Sequence, residues 1–230
     1  MTDRVSTSAR LDLSSQITSA TQMAYNAIRR MIVTAELPPG EKLKIESLKD
    51  ILQTGASPIR EALSLLTSDQ LVERIDQRGF RSAPVSQANF TEILTLRCAL
   101  EDMALRQSIA NADQDWEEKL VLVHHRLTRA NPSDGALFED LHKTFHMTLL
   151  GKCDSPILQR YCSQLYDLNV RYRYLAGRSL NYKRRDVSRE HQGILDATIA
   201  RDTDLASKRL LDHYQQTGTF LQDTGLVPSE

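Results

Sequence analysis

The chain has no apolar run approaching the ~18 residues that cross a membrane, and its first residues hold no apolar core of the kind that marks a secretory leader. The expected setting is cytoplasmic, with no membrane partner. Cysteine is scarce. Cys98, Cys153 and Cys162 are odd in number and lack metal-type spacing, which argues against a disulfide framework and fits a reducing compartment. An excess of one charge is also lacking. The 230 residues carry 29 Lys+Arg against 30 Asp+Glu, a net charge of −1. Residues 1–85 hold 11 Lys+Arg against 10 Asp+Glu, a balance of +1. No bulk basic field is present, so any nucleic-acid contact must use individually placed residues. With 40% hydrophobic and 26% charged residues, the chain reads as globular, with room for one large domain or two modest ones.

Residues 1–16 are rich in Ser, Thr and charge without apolar period, and are expected to form a flexible arm. Ala24, Ile28, Met31 and Ile32 mark a first helix, which Pro38-Pro39-Gly40 must end. A second short helical region is expected from Leu43 through Leu52, with Ile45, Leu48 and Leu52 facing inward. Thr54-Gly55 breaks it. A third helix follows, in which Ser57 is a good N-cap and Pro58 suits the first helical position. Its stripe of Ile59, Ala62, Leu63 and Leu66 faces a core, leaving Ser57, Arg60, Glu61 and Ser64 on other faces. Two helices joined by a short Gly-containing turn form a helix-turn-helix, whose second helix can enter a major groove. Leu71–Ile75 and Gly79–Val85 read as two strands around the turn Asp76 to Gly79. That hairpin is a wing, with Arg78 and Arg81 placed to meet phosphate. Residues 17–85 are thus expected to be a winged helix-turn-helix domain, with Lys44, Ser57, Pro58, Arg60, Arg78 and Gly79 as candidate DNA-facing residues.

Beyond Val85 the pattern is helical throughout, with no convincing strand and no internal repeat. Helices are expected near residues 89–111, 114–130, 133–151, 156–176, 182–201 and 203–222. Residues 86–224 therefore read as an all-α antiparallel bundle, and 225–230 as a fraying tail.

Four of the six histidines lie on the later helices. His142 and His146 stand four apart and project from one face. His191 shares a stripe with Val187, Ile194 and Leu195; His213 shares one with Ala206, Leu210 and Thr217. An unpaired imidazole in a bundle interior costs roughly 1–3 kcal/mol. Either each ring finds its own hydrogen bond, or one divalent cation satisfies all four. Neutral imidazole suits zinc, nickel, copper or iron. Adjacent His124 and His125 point different ways and read as ordinary.

Arg97 sits in an apolar stripe between Ile93 and Leu100. Its charge cannot be removed, so it requires an anion. That anion is either Glu101, four residues on, or a carboxylate ligand held bidentately beside a metal. Arg171 and Arg173 are further effector candidates. Only one of them can share a face with the core, and Arg171 is the preferred one.

Taken together, these stretches resemble the GntR family of bacterial transcription regulators, in its FadR subfamily with an FCD-type effector domain. The matching residues are Leu37-Pro38-Pro39-Gly40-Glu41-Lys42-Leu43, Ser57-Pro58-Ile59-Arg60-Glu61-Ala62-Leu63 and Arg78-Gly79-Phe80. In the bundle they are Arg97-Cys98-Ala99-Leu100-Glu101, Phe145-His146, Glu190-His191 and Asp212-His213. The resemblance covers roughly residues 17–222. It implies Arg60 at the DNA backbone or a base edge, with Ser57 and the Arg78-Gly79 tip nearby, and a metal held by His146, His191 and His213. Two departures stand out. Ala56 replaces the arginine that the family often places before its Ser/Thr-Pro, and His142 replaces the aspartate usually found four residues before the first metal histidine. A four-nitrogen site favours zinc or nickel over manganese. Leu165-Tyr166-Asp167-Leu168 with Arg171-Tyr172-Arg173 resembles the carbon-starvation-induced regulators of the family, which implies a small dicarboxylate such as glutarate.

The expected function is a ligand-responsive repressor. It would act as a homodimer on palindromic double-stranded operator DNA and be released by a small carboxylate bound at the metal and Arg97. It is not expected to be an enzyme. The alternative is a metal-dependent hydrolase or oxygenase using the histidines. One Glu-x-x-His spacing occurs, Glu139 to His142, but a carboxylate-bridged di-metal bundle needs a second copy, and there is none.

Overall fold

A computed structural model describes residues 19–76, 78–131, 135–176 and 186–223. The expected arm, tail and residues 177–185 lie outside the described residues. Helix α1 (Ala20–Val33) is capped by Ser19, whose side chain accepts from the Gln22 amide, and buries Ala24, Ile28 and Ile32. The Pro-Pro-Gly turn follows, with Gly40 at φ +76°, a conformation glycine adopts without cost. Strand β1 (Lys42–Leu43) comes next, then α2 (Ile45–Leu52) and α3 (Ala56–Ser68). The hairpin is β2 (Val72–Ile75) and β3 (Gly79–Ser82), antiparallel with Val72 opposite Ser82 and Ile75 opposite Gly79.

Three expectations in this half need correcting. Leu43 does not open a helix: it pairs with Phe80, so the wing is a three-stranded sheet in the order β1-β3-β2. A two-residue strand is too short to show a period. Ser57 is not the N-cap. Gly55 takes that place, and Ser57 instead donates to Glu61 Oε1 at 3.2 Å. Pro58 is then the third helical residue, still in the first turn, where amides have no intrahelical acceptor.

The second half is all helical among the described residues: α4 (Gln87–Ala110), α5 (Gln114–Arg129), α6 (Gly135–Leu149), α7 (Pro156–Ala176), α8 (Val187–Ile199) and α9 (Thr203–Asp223). Helix α4 begins two residues earlier than the apolar pattern indicated, because Ser86 caps it through the Asn89 amide. Helix α8 is capped by Asp186, which accepts from the Arg189 amide; its expected start at Tyr182 falls outside the described residues. Among the described residues no helix is long and apolar enough to cross a membrane.

Helix α7 fixes how the halves meet. Leu165, Tyr166, Leu168, Val170 and Tyr172 share one core with Ile28, Ile32, Ile59, Leu63 and Leu66 of the winged half. Polar contacts pin the same seam. Arg29 of α1 holds both oxygens of Asp167, which also accepts from Lys143 Nζ at 2.7 Å. Arg171 donates to Ser82 Oγ at 3.3 Å and to the Ala83 carbonyl. Within the second half, Tyr172 donates to Asn89 Oδ1 at 2.7 Å and ties α7 to α4. A second core, around Leu105, Trp116, Phe145, Leu149, Ile194 and Leu210, holds α4, α5, α6, α8 and α9 together.

Candidate metal centre and DNA-facing residues

The four histidines meet. His142 and His146 from α6, His191 from α8 and His213 from α9 are all buried, and their candidate donor atoms lie within 4.8 Å of one another. Ring centroids stand 4.6 Å apart for His142–His146 and 4.8 Å for both His142–His191 and His191–His213. Three helices supply them because each histidine sits on its helix's apolar stripe, and the stripes converge.

The outer partners determine which nitrogen is available. Tyr166 donates its proton to Glu139 Oε1 at 2.6 Å, so its oxygen accepts from His142 Nδ1 at 2.5 Å. Tyr214 likewise donates to Glu101 Oε2 and accepts from His146 Nδ1 at 2.9 Å. His213 Nδ1 donates to Glu190 Oε2 at 2.7 Å. A histidine that donates through Nδ1 keeps a lone pair on Nε2, the arrangement metal-ligating histidines favour. His146 Nε2 is buried and has no hydrogen-bond partner. Burial, then the Arg173 guanidinium and the neighbouring imidazoles, holds His142 well below the usual histidine range. Burial, then His191 and His213, does the same for His146. Both are neutral and can coordinate.

The donors therefore fit a divalent cation. Metal–nitrogen bonds of about 2.0–2.1 Å separate donors by no more than about 4.2 Å, so the widest pair would have to draw in for all four to share one ion. One feature opposes it: Arg173 Nη1 lies 3.1 Å from His142 Nδ1 and 3.2 Å from Nε2.

Arg97 reaches the same place from α4. It is buried, donates through Nε to Glu101 at 2.5 Å and through Nη1 to Asn169 Oδ1 at 2.8 Å, and lies over the Tyr214 ring at 3.9 Å. Burial is the largest influence and lowers its pKa, but Glu101, Tyr214 and Tyr166 together outweigh burial and the net shift is upward. The pairing with Glu101 is real, yet Arg97 Nη2 has no hydrogen-bond partner. A cavity of about 20 Å³ adjoins it, lined also by His142, Tyr166, Asn169, Arg173 and Thr217.

Arg171 is the site expectation that the structure corrects. Its guanidinium turns to Ser82 and Ala83 at the seam, and Arg173 faces the histidines. Burial pushes the Arg171 pKa down to about 10. Sequence reasoning named Glu101 for Arg97 only, and missed it and Tyr166, Tyr214 and Glu190 as outer partners of the histidines. Tyr214 and Glu190 do have a signal, since each is next to a site histidine. Glu139 of the Glu-x-x-His spacing is bound by Tyr166 and Arg173 and lies outside the four-histidine donor set. His124 is buried against Phe145, apart from the cluster.

On the winged half, Lys44, Ser57, Arg60, Arg78 and Gly79 are exposed and Pro58 half-buried. Ser57 and Arg60 flank the buried Ile59 on α3. Glu61, beside them, accepts from Thr21 Oγ1 at 2.8 Å and ties α3 to the start of α1. Gly79 opens β3 at φ +94°, a left-handed conformation that a side chain would strain. Arg81 is bound to Glu73 at 2.6 Å.

A winged helix-turn-helix joined through one long helix to a bundle with a buried imidazole cluster defines a class: a DNA-binding regulator with its own sensor-type domain. The chain belongs to the GntR family of bacterial transcription regulators, with a C-terminal FCD domain. "Bacterial regulatory proteins, gntR family" matches residues 20–81 and "FCD domain" matches residues 92–216. The "Uncharacterized HTH-type transcriptional regulator BphR" of Paraburkholderia xenovorans is 34% identical over 92% of this chain and 89% of its own. The "HTH-type transcriptional repressor GlaR" of Escherichia coli is 32% identical over 82% of this chain and 90% of its own. The solved structure of E. coli McbR/YncC has the same fold, with a TM-score of 0.78 at 22% identity, covering 90% of this chain and 98% of that one. These relatives are transcription regulators, not enzymes, and the winged domain is the family's DNA-binding unit.

Proposed function

We propose that this chain is a homodimeric repressor that leaves a palindromic operator when a small carboxylate binds beside a divalent cation, zinc or nickel, held by His142, His146, His191 and His213. The bound cation would supply a Lewis-acidic coordination point for a ligand oxygen. Arg97 would orient the carboxylate through its unpartnered Nη2. One observation carries the reading: neighbouring residues of α7 face the two ends. Tyr166 bonds His142, while Asp167 bonds Arg29 of the DNA-binding half. A ligand that shifts α7 therefore acts on both, provided it binds the two arrangements with different affinity. The repressor named among the relatives supports the direction of control.

The test is fluorescence anisotropy on the protein's own upstream DNA, across a salt series and with added carboxylates. Affinity should fall as salt rises, and a carboxylate should lower it further. No effect of any carboxylate on the metal-loaded protein would remove the effector reading. Arg60→Ala should weaken DNA binding by about 1–3 kcal/mol, roughly 5- to 150-fold, while ligand binding stays intact. Asp167→Asn should leave DNA binding in place and shrink the carboxylate-induced drop. An undiminished drop would take Asp167 out of the route.

A further inference from the structure

The cavity beside the histidines holds about 20 Å³, room for a single water. A carboxylate of several carbons needs several times that volume, so part of the wall must move. Arg97 is fixed by Glu101, Asn169 and the Tyr214 face. Tyr166 is fixed by Glu139 and His142. Arg173 lies on the last turn of α7, and its side chain keeps 15% of its exposure, against 5% for Arg97. Its guanidinium spans Glu139 Oε2 and His142. It is the long, jointed group that closes the cavity.

We propose that Arg173 is the specificity residue of the effector site: it exchanges Glu139 for the far carboxylate of the ligand, so that the site takes dicarboxylates over monocarboxylates. This deepens the carboxylate reading above and rests on it. A guanidinium stays charged at any accessible pH, so moving it off Glu139 requires a replacement acceptor. A dicarboxylate brings one. Its near end takes the unpartnered Arg97 Nη2, and its far end takes the Arg173 fork. A monocarboxylate has a near end only. It must displace Arg173 with nothing to offer it, or remain outside. Glu139 is not stranded by the exchange, because Tyr166 continues to donate to it.

The experiment is calorimetric titration of the full-length, zinc-loaded protein with glutarate and with pentanoate, which match in chain length and differ by one carboxylate. Metal content is measured on every sample, so that affinities are compared at equal loading. The wild type should prefer glutarate by about 10- to 100-fold, the range of a charge-assisted pair. Arg173→Gln should bring the two ligands within about 3-fold of each other, by loss of glutarate affinity together with a gain for pentanoate, which no longer has a guanidinium to displace. Glu139→Gln, which releases Arg173 while keeping an acceptor for Tyr166, should tighten glutarate. It decides the matter if the first variant does not fold: weaker or unchanged glutarate binding overturns the proposal. An equal loss of both ligands in Arg173→Gln, or equal affinities in the wild type, overturns the specificity role and leaves the carboxylate reading standing. If the wild type binds neither probe, the carboxylate reading fails, and this proposal with it.

Discussion

His146→Ala should lower metal affinity by more than about 100-fold, beyond the 10- to 100-fold typical of an outer partner. His146 touches every other member of the cluster, with its ring centroid within 5.4 Å of those of His142, His191 and His213. Its Nδ1 proton is held by Tyr214, which Glu101 holds in turn, and its Nε2 has no hydrogen-bond partner. A buried acceptor left unmatched costs about 1–3 kcal/mol, so the cluster is poorly satisfied by protein groups alone. A cation at Nε2 removes that cost. Competition against a chromophoric chelator reads the affinity, and Tyr214→Phe provides the outer-partner comparison. Unchanged metal retention in His146→Ala would exclude His146 from the donor set. Stripping the wild type with chelator should also lower its melting temperature, since a ligand that binds the folded state stabilises it by mass action.

The parts of the site that were legible in the sequence are those that depend on one helix at a time. Four-residue spacing places His142 and His146 together whatever surrounds them. His191 and His213 are found because each interrupts an apolar stripe. The α3 stripe of Ile59, Ala62, Leu63 and Leu66 has the same character, and all four residues are fully buried. What could not be read depends on neighbours. Choosing between Arg171 and Arg173 assumes that α7 has one inner face. Residues 165–172 are instead buried without a break, because the winged half covers the side that the histidines do not. A helix with no solvent face shows no period that assigns its arginines to one side or the other. The β1 strand fails for a related reason: two residues acquire strand geometry only because Phe80 and Arg81 lie alongside. The outer hydrogen bonds link residues as far apart as Glu101 and Tyr214, a separation that no local pattern spans.

Glu101→Leu should cost about 3–5 kcal/mol of stability, the penalty for removing one member of a buried ion pair. Glu101 is fully buried and takes Arg97 Nε on one oxygen and the Tyr214 hydroxyl on the other. Arg97 cannot shed its charge, and leucine leaves it buried with only Asn169 and two aromatic faces. Chemical denaturation measures the loss. Adding Arg97→Met should recover most of it, because replacing both members of such a pair with apolar groups is often neutral or better. The metal separates a local charge defect from general unfolding. Without Glu101, the Tyr214 proton is free to point at His146 Nδ1. That favours the tautomer protonated on Nε2, the nitrogen a cation needs. Metal affinity should therefore fall by about 10- to 100-fold in Glu101→Leu, and the double variant should not restore it. Recovery of stability and metal together would mean that Glu101 only balances Arg97. Recovery of stability alone would mean that it also sets the protonation of the histidine centre, through Tyr214.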